Sequence, residues 1–536
     1  MCNVAAPCVP GGQHVIKTAA ERSLAAELRE VRPDLLGPYA DALPGARAAV
    51  LSRLWRGLVH DPLPWVAGRG AAGGAVVLRL ADGRRLTGPP RDPWTTAPPA
   101  GPVELDGVPY DHPALLLRAL GVPRGEDFAA ELDGSTASLA LSRTAGATDG
   151  AADGTDGGAE AAWEWEQRVT DGHPYHPGCR SRPGFTAAEQ LAYAPEHRQV
   201  VGLPLLPVAD PVLVGRWPRG LRDGDRVLVP VHPWQAAHVL KEPVRGPLLA
   251  ARPLLSLRTL ETAGEVAGAG AALHVKTALS TRLTSSVRDI SAYSVENAVV
   301  LSEFAEAVAA RLEGRLHVTR TVAAVGAPAP DLAAVLREAP EVYADRGAEE
   351  RVVPVACLAE FVAGTVPAGG RAAWRAAFAG LVLEVGLRLL GLGVALEAHG
   401  QNLLLVVDAA GRPARLVYRD LADIRISPAR LARHGIPLPP LTARQQTDDP
   451  LALRRKLFGG LLSGALGPLA GDTETLGALL AAGTAALPAG DDLRALTSEP
   501  LPVKALTLMR LSETGGDQWT VLPNPLAGGG QDFPGG

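Results

Sequence analysis

Residues 378–396 form the most apolar window of the chain, yet Glu384 and Arg388 fall inside it. Charges there argue for a helix buried in a protein core rather than one crossing a bilayer. Directly after it, residues 394–397, 402–407 and 414–418 read as strand–turn–strand, with Asp408-Ala-Ala-Gly-Arg-Pro413 as the second turn. A long apolar helix feeding a hairpin commits the last third of the chain to a mixed α and β core. At that junction stands Glu397-Ala398-His399-Gly400-Gln401-Asn402, with Arg419-Asp420 downstream. Glu397 and His399 alternate about Ala398 and so share a strand face, while Asn402 begins the next strand. Two carboxylates, an imidazole and an amide suit Mg²⁺ with a nucleotide phosphate, because a hard cation wants oxygen ligands and keeps part of its shell for phosphate. The same residues also read as a polar turn with Gly400-Gln401 at its tip.

The rest of the chain must fold around that element. At 536 residues it exceeds what one core organises, and 47% hydrophobic with 20% charged residues describe a globular protein. A net charge of −5 gives no footprint for nucleic acid or an anionic membrane. Cys2, Cys8, Cys179 and Cys357 form no C-x-x-C pair, so neither a disulfide framework nor a structural zinc site is expected, in keeping with a reducing compartment. The N-terminus lacks a basic region followed by an apolar run, which predicts no signal peptide and a soluble, cytoplasmic protein.

Helical spacing runs over 19–60 with a break at Pro44-Gly45, followed by hairpins at Asp82-Gly83 and Asp106-Gly107 and a helix over 112–120. Residues 144–160 are low in complexity and predict a surface loop or subdomain joint. Strands are expected at 226–231, at 315–322 and near Val352. Gly68-Arg-Gly-Ala-Ala-Gly73 matches G-x-G-x-x-G, but a strand follows where a dinucleotide site needs a helix N-terminus, so a glycine-rich hairpin is the better reading. No Gly-Lys dipeptide, G-x-S-x-G or H-E-x-x-H occurs, which removes the P-loop, the commonest hydrolase elbow and the zincins.

Three further segments carry chemistry. Gly172-His173-Pro174-Tyr175-His176-Pro177-Gly178-Cys179-Arg180-Ser181-Arg182 sets two imidazoles and two guanidiniums in a proline-stiffened loop. Arg forks bind carboxylate or phosphate bidentately, although the histidines could equally satisfy buried carbonyls while the arginines stay solvated. His232-Pro-Trp234-Gln235 ends a strand, and a lone His there is more often packed than functional. Ser256-Leu-Arg258-Thr259 and the run from Lys276 through Ser280, Thr281, Thr284 and Ser285 to Arg288 interleave hydroxyls with cations. That is what a polyphosphate needs without a P-loop. An exposed helix face is the alternative, for which Ser and Thr are poor choices.

Together and in this order, these segments resemble the NRPS-independent siderophore synthetases, the aerobactin-synthetase-like family. The resemblance rests on GHPYHPGCRSRPGF at 172–185, HPWQ at 232–235, SLRT at 256–259, Lys276 to Arg288, EAHGQN at 397–402, Arg419-Asp420 and NPL at 524–526. It implies an α+β, hand-like fold around a central ATP and substrate cleft. Its parts would be a thumb-like mixed α/β region at 1–150, a fingers-like region at 151–350 and a palm-like region at 351–536. It also implies an ATP-dependent acid–amine ligase that adenylates a carboxylic acid and passes the acyl group to an amine or alcohol, as a homodimer with no nucleic acid or membrane partner. By position, Ser256, Arg258, Thr259, Lys276, Arg288 and His399 would hold ATP, with His399, Arg288 and Lys276 acting in catalysis. Glu397, Asn402 and Asp420 would hold Mg²⁺. His173, His176, Arg180, Thr284 and Arg288 would contact the acid. Arg180 stands where the family pattern has Lys, which keeps the charge and alters its geometry. A kinase-like phosphotransferase, suggested by H-x-x-N followed by Asp, and a non-catalytic homologue binding a siderophore precursor are the competing readings.

Overall fold

In the computed structural model, which describes residues 16–98, 101–145, 161–208, 210–242, 246–284 and 286–527, the first helix, Ala19–Val31, ends because of a proline. Pro33 pushes Arg32 out of helical geometry, to φ −150° and ψ 69°, as the residue before a proline resists the helical region. The expected break at Pro44 does not occur. Pro44 lies inside the helix Leu36–His60. Its lost hydrogen bond, roughly 3 kcal/mol, is outweighed by burial of Leu43, Val50, Leu54, Trp55 and Leu58 along that helix. The low-complexity segment lies outside the described residues from 146 on, as do residues 1–15 and Ser285.

The two Asp-Gly turns form as expected. Val66–Ala72, Ala75–Leu80, Arg85–Gly88, Val103–Leu105 and Val108–Tyr110 make an antiparallel five-stranded meander. The G-x-G-x-x-G segment is part of its first hairpin rather than a phosphate loop. Helices Leu36–His60 and Gly125–Arg143 share a core with this sheet through Leu54, Leu78, Leu86, Leu117 and Phe128.

The middle of the chain builds a nine-stranded sheet. Its central strands are Leu248–Pro253, Thr259–Thr262, Leu273–Thr277 and Ala333–Glu338, each antiparallel to the next. The strand expected over 315–322 splits in two. Thr321–Gly326 joins this sheet, while Leu316–Val318 leaves it to run parallel to Pro413–Tyr418. That crossing stitches the nine-stranded sheet to a four-stranded one completed by Leu403–Val407 and Arg351–Pro354. Helix Arg371–Leu392 buries Phe378, Leu383 and Leu389 in the same core as Leu405 and Tyr418, as the apolar window predicted. No helix among the described residues is long and apolar enough to cross a membrane.

A buried ion pair ties the first helix down. Glu21 is fully buried, and Arg47 donates to its two oxygens at 2.7 and 2.6 Å. Removing one partner of such a pair strands the other charge. Glu21→Gln should therefore cost roughly 3–5 kcal/mol, read as a lower urea midpoint at unchanged m-value, and Glu21→Leu/Arg47→Met should recover most of it.

Candidate active site

Strand geometry sets one half of the site. Thr259 pairs with Lys276 across neighbouring strands, and Arg337 pairs with His274, two residues before Lys276. Paired residues share a face, and residues two apart on a strand do too, so Thr259, Lys276 and Arg337 project together. Before Thr259 the chain turns through Leu257 at φ 65°, and the Thr259 N–H donates to Ser256 Oγ at 3.0 Å. Arg288 closes the hairpin of Leu279–Leu283 with Ser286–Arg288 and folds back, its Nη2 donating at 2.9 Å to both the Leu283 carbonyl and Thr284 Oγ1.

The other half differs from the expected hairpin tip. Val394–Ala395 pairs with Arg425–Ile426, whereas Leu403–Val407 pairs with Pro413–Tyr418, so Glu397 to Asn402 cross between two sheets. The cause is local. His399 O accepts the N–H groups of Asn402 and Leu403 at 2.9 and 3.0 Å, and Glu397 O accepts that of His399, leaving no ladder for strand pairing. The crossing lies hard against the π-helical segment Leu462–Leu466 that continues helix Pro450–Leu461. A Cβ on Gly464 would stand 2.3 Å from that of His399, so only glycine allows this approach. Arg419 pins the crossing by donating from Nε to the Gln401 carbonyl at 2.9 Å, and its Nη2 lies 2.8 Å from the buried Glu166.

Ser256, Arg258, Thr259, Lys276, Thr284, Arg288, Glu397, His399, Asn402 and Asp420 all line a single cleft, as does Arg180. Of the predicted residues, His173 and His176 do not line it. His173 Nδ1 accepts the N–H groups of Tyr175 and His176, and His176 Nδ1 accepts that of Gly178. His176 Nε2 is buried without a partner. Arg180 spends its guanidinium on its own loop: Nε donates to Thr170 O at 2.7 Å, Nη2 donates to Val169 O, and Nη1 lies 3.7 Å from Glu196.

Several residues of the site were not singled out in the sequence. Arg337 lines the cleft 3.5 Å from Asp420, and Lys504 Nζ lies 2.9 Å from Glu397 Oε1. One signal was available. The chain has five lysines, and three of them, Lys276, Lys456 and Lys504, gather here.

Lys276 Nζ donates to both oxygens of Asp420 at 2.7 and 2.6 Å. Burial pulls the lysine below its ordinary range while Asp420 opposes it; the aspartate is held well down by Lys276 and Arg337 against its own burial. Burial alone would raise Glu397, but Lys504, His399 and Lys456 outweigh it and bring it down to about 2. His399 is pulled down by burial, partly opposed by Glu397, and its Nδ1 accepts the Gln401 N–H at 3.3 Å. A neutral ring so placed carries its proton on Nε2.

The cleft lining holds seven arginines and lysines against three carboxylates. Arg258 and Arg288 form no ion pair among the described residues, and their hydrogen bonds go to neutral oxygens. The cleft therefore has positive charge to spare, with hydroxyl donors beside it, and matches a polyphosphate. For Mg²⁺, Glu397, Asn402 and Asp420 supply oxygen donors only. These suit a hard cation that takes one or two carboxylates and completes its shell with phosphate, although both carboxylates are shared with lysines here.

Residues 161–360 match the IucA / IucC family, and residues 372–517 match the ferric iron reductase FhuF-like transporter family. The chain is 23% identical over 322 residues to 2-[(L-alanin-3-ylcarbamoyl)methyl]-3-(2-aminoethylcarbamoyl)-2-hydroxypropanoate synthase of Staphylococcus aureus, covering 48% of this chain and 51% of that protein. It thus spans about half the length of the curated relatives it matches. Among solved structures, petrobactin biosynthesis protein AsbB of Bacillus anthracis superposes with a TM-score of 0.74 at 17% identity, covering 95% of this chain and 98% of that one. ATP-bound aerobactin synthetase IucA of Klebsiella pneumoniae superposes with a TM-score of 0.69 at 20% identity, covering 90% and 99%. The chain carries an IucA/IucC-family domain over residues 161–360, set within the fold shared by AsbB and aerobactin synthetase IucA along nearly its whole length.

Proposed function

We propose that this chain is an ATP-dependent synthetase of siderophore assembly that adenylates a carboxylic acid, citrate-type or dicarboxylate-derived. It then joins the acyl-AMP to an amine or alcohol, releasing AMP and pyrophosphate. One observation carries the reading: two polar sets from different sheets meet in one cleft, Ser256 to Arg288 on one side and Glu397 to Asp420 on the other. The ATP in the IucA relative and the carbamoyl products named for the staphylococcal one support it.

A carboxylate oxygen of the acid attacks the α-phosphorus, and the bond to the β-phosphate oxygen breaks. Both acid and triphosphate are anions, so the first barrier is their mutual repulsion. Arg258, Lys276 and Arg288 lower it by holding the phosphates, with Ser256 and Thr259 donating hydrogen bonds. The His399 Nε2–H donates to charge that develops on the α-phosphoryl or carboxylate oxygen, and a neutral imidazole does so without competing for the lysine partners. Glu397, Asn402 and Asp420 would hold the Mg²⁺ that travels with the triphosphate and neutralises the departing pyrophosphate. Arg288, Thr284 and the loop of His173, His176 and Arg180 form the acid end of the reading, Arg180 by shaping that loop. The amine or alcohol then attacks the acyl carbon, and AMP leaves with the bonding pair. Thumb, fingers and palm at 1–150, 151–350 and 351–536, a homodimer and a cytoplasmic setting belong to the same proposal.

Pyrophosphate release and hydroxylamine trapping across a panel of carboxylic acids test the reading. Acid-dependent pyrophosphate and a hydroxamate are expected. ADP in place of AMP and pyrophosphate would establish a phosphotransferase instead, and no Mg²⁺-ATP binding would leave a non-catalytic homologue. His399→Ala should lower kcat by about 10²–10³-fold while ATP affinity holds, the loss typical of one donor to a developing oxyanion. Near-normal turnover would remove His399 from the chemistry.

The Lys276 charge sets a pH limb. Its folded-state pKa is lowered, so the ammonium is lost as pH rises through a value well below the ordinary ~10.4. kcat/KM for ATP should therefore fall on the alkaline side in that window. Lys276→Arg should flatten the limb, since a guanidinium stays protonated there.

A further inference from the structure

The sheet face that brings Thr259 and Lys276 to the cleft continues beyond it. Two residues on, Glu261 pairs with His274, and there a second cavity of about 540 Å³ opens, lined by Glu261 and Glu341. That volume is typical of a small-molecule site. Its apolar wall consists of Trp163 and alanines such as Ala271, Ala272, Ala339 and Ala344.

The two glutamates lack a cation. Glu261 is only 6% exposed, and its Oε2 meets His274 Nε2 at 3.1 Å. His274 is held neutral by burial, which brings it down to about 3. Glu341 Oε1 accepts the Ala162 N–H at 2.9 Å, while its Oε2 is buried with no partner. Burial raises both carboxyls. Glu261, pushed to about 7, is raised further by Glu166, and Glu341 by Glu261. Of the nearby cations, Arg346 lines the exposed rim of the cavity beside Asp345 and pairs with neither glutamate, and two others are engaged elsewhere. Arg252 lies over the Trp163 ring at 4.5 Å, and Arg419 is paired with Glu166. Among the described residues, no arginine or lysine forms an ion pair with Glu261 or Glu341. Burying anionic oxygens without partners is costly, and a bound cation would relieve that cost.

The walls decide which cation. Two carboxylates hold magnesium only where a phosphate completes its shell, as proposed for the cleft, and calcium wants roughly six or more oxygens. The described residues hold no group of three or more His, Cys, Asp or Glu able to ligate a metal without such help. An ammonium head with three donors suits two carboxylates, and an alkyl stem suits the alanines and the tryptophan ring. We propose that this cavity binds a primary alkylammonium, its head group between Glu341 and Glu261 and its stem against Trp163 and the alanine wall. Arg419 lines the reaction cleft and pairs with Glu166, the neighbour of Glu261, so the two sites share one charge network without sharing a cavity.

Calorimetric titration of the full chain with 1,4-diaminobutane and n-butylamine, without nucleotide, tests this, with butan-1-ol as the neutral control. Both amines should bind and the alcohol should not. Glu341→Gln/Glu261→Gln should weaken amine binding at least tenfold, and Trp163→Ala several-fold with both carboxylates in place. Should the double variant fail to fold, Ala272→Phe fills the cavity, keeps the charges and should produce the same loss. No amine binding overturns the proposal. So does binding that survives the changes at Glu341, Glu261 and Ala272 but disappears in Glu397→Gln, which would place the amine in the reaction cleft. Tighter binding of Mg²⁺ than of either amine at Glu341 would overturn the choice of ligand. Nucleotide-free binding is independent of pyrophosphate release, so failure of either proposal leaves the other standing.

Discussion

The Lys276–Asp420 pair crosses the seam on which the cleft is built. Lys276 belongs to the nine-stranded sheet, and Asp420 stands two residues past Pro413–Tyr418 in the four-stranded one. Two charges at hydrogen-bond distance attract by about 6 kcal/mol at an effective dielectric near 20, but their desolvation returns much of that. Arg337 at 3.5 Å adds a second cation, and Asp420 is held at φ 73°, where a side chain costs of order 1–3 kcal/mol. An apolar pair of similar volume would hold the two sheets together at least as well. The arrangement is therefore better explained by the charges it places in the cleft than by stability.

Those charges are ordered by what already answers them. Arg419 is matched by Glu166, Arg182 by Glu196 and Lys276 by Asp420, so their geometry is fixed from the protein side. Arg258 and Arg288 are oriented only by carbonyls and a hydroxyl, which hold a guanidinium in place without cancelling its charge. A polyanion entering the cleft meets donors that are already aimed and two cations that are not yet spent. This is preorganisation in its electrostatic sense: the reorganisation cost falls on folding rather than on the binding of the anion.

How much of this could be read from the chain follows from the range of each interaction. Local signals were sufficient for the Asp-Gly hairpins, for helix Arg371–Leu392 and for the polar runs at 256–288 and 397–402, because each depends on neighbours within a few residues. Pro44 misled because the packing that carries Leu36–His60 through it is tertiary. Glu397 to Asn402 were expected at a hairpin tip, since alternation cannot tell which strand a residue will pair with. The crossing between sheets depends on Gly464, more than sixty residues away in sequence. Arg337 and Lys504 stayed hidden for a related reason. Each is one cation in an otherwise ordinary strand, and its meaning comes only from the carboxylate the fold brings to it.

The histidines show how a local device gains a function from its place. His112, His173, His176, His232 and His399 each accept, through Nδ1, the N–H two residues ahead, and proline follows every one except His399. With Nδ1 accepting, a neutral ring must carry its proton on Nε2, so the turn fixes the tautomer before any ligand arrives. For His176 and His232 that proton points into a buried space with no partner. For His399 it belongs to a ring on the wall of a cleft with positive charge to spare. A protonated histidine there would add one more cation and compete with Lys504 for Glu397. A neutral one adds a directed donor and leaves the ion pairs intact, which is what the proposed adenylation would require of a site that first gathers anions and then stabilises their shifting charge.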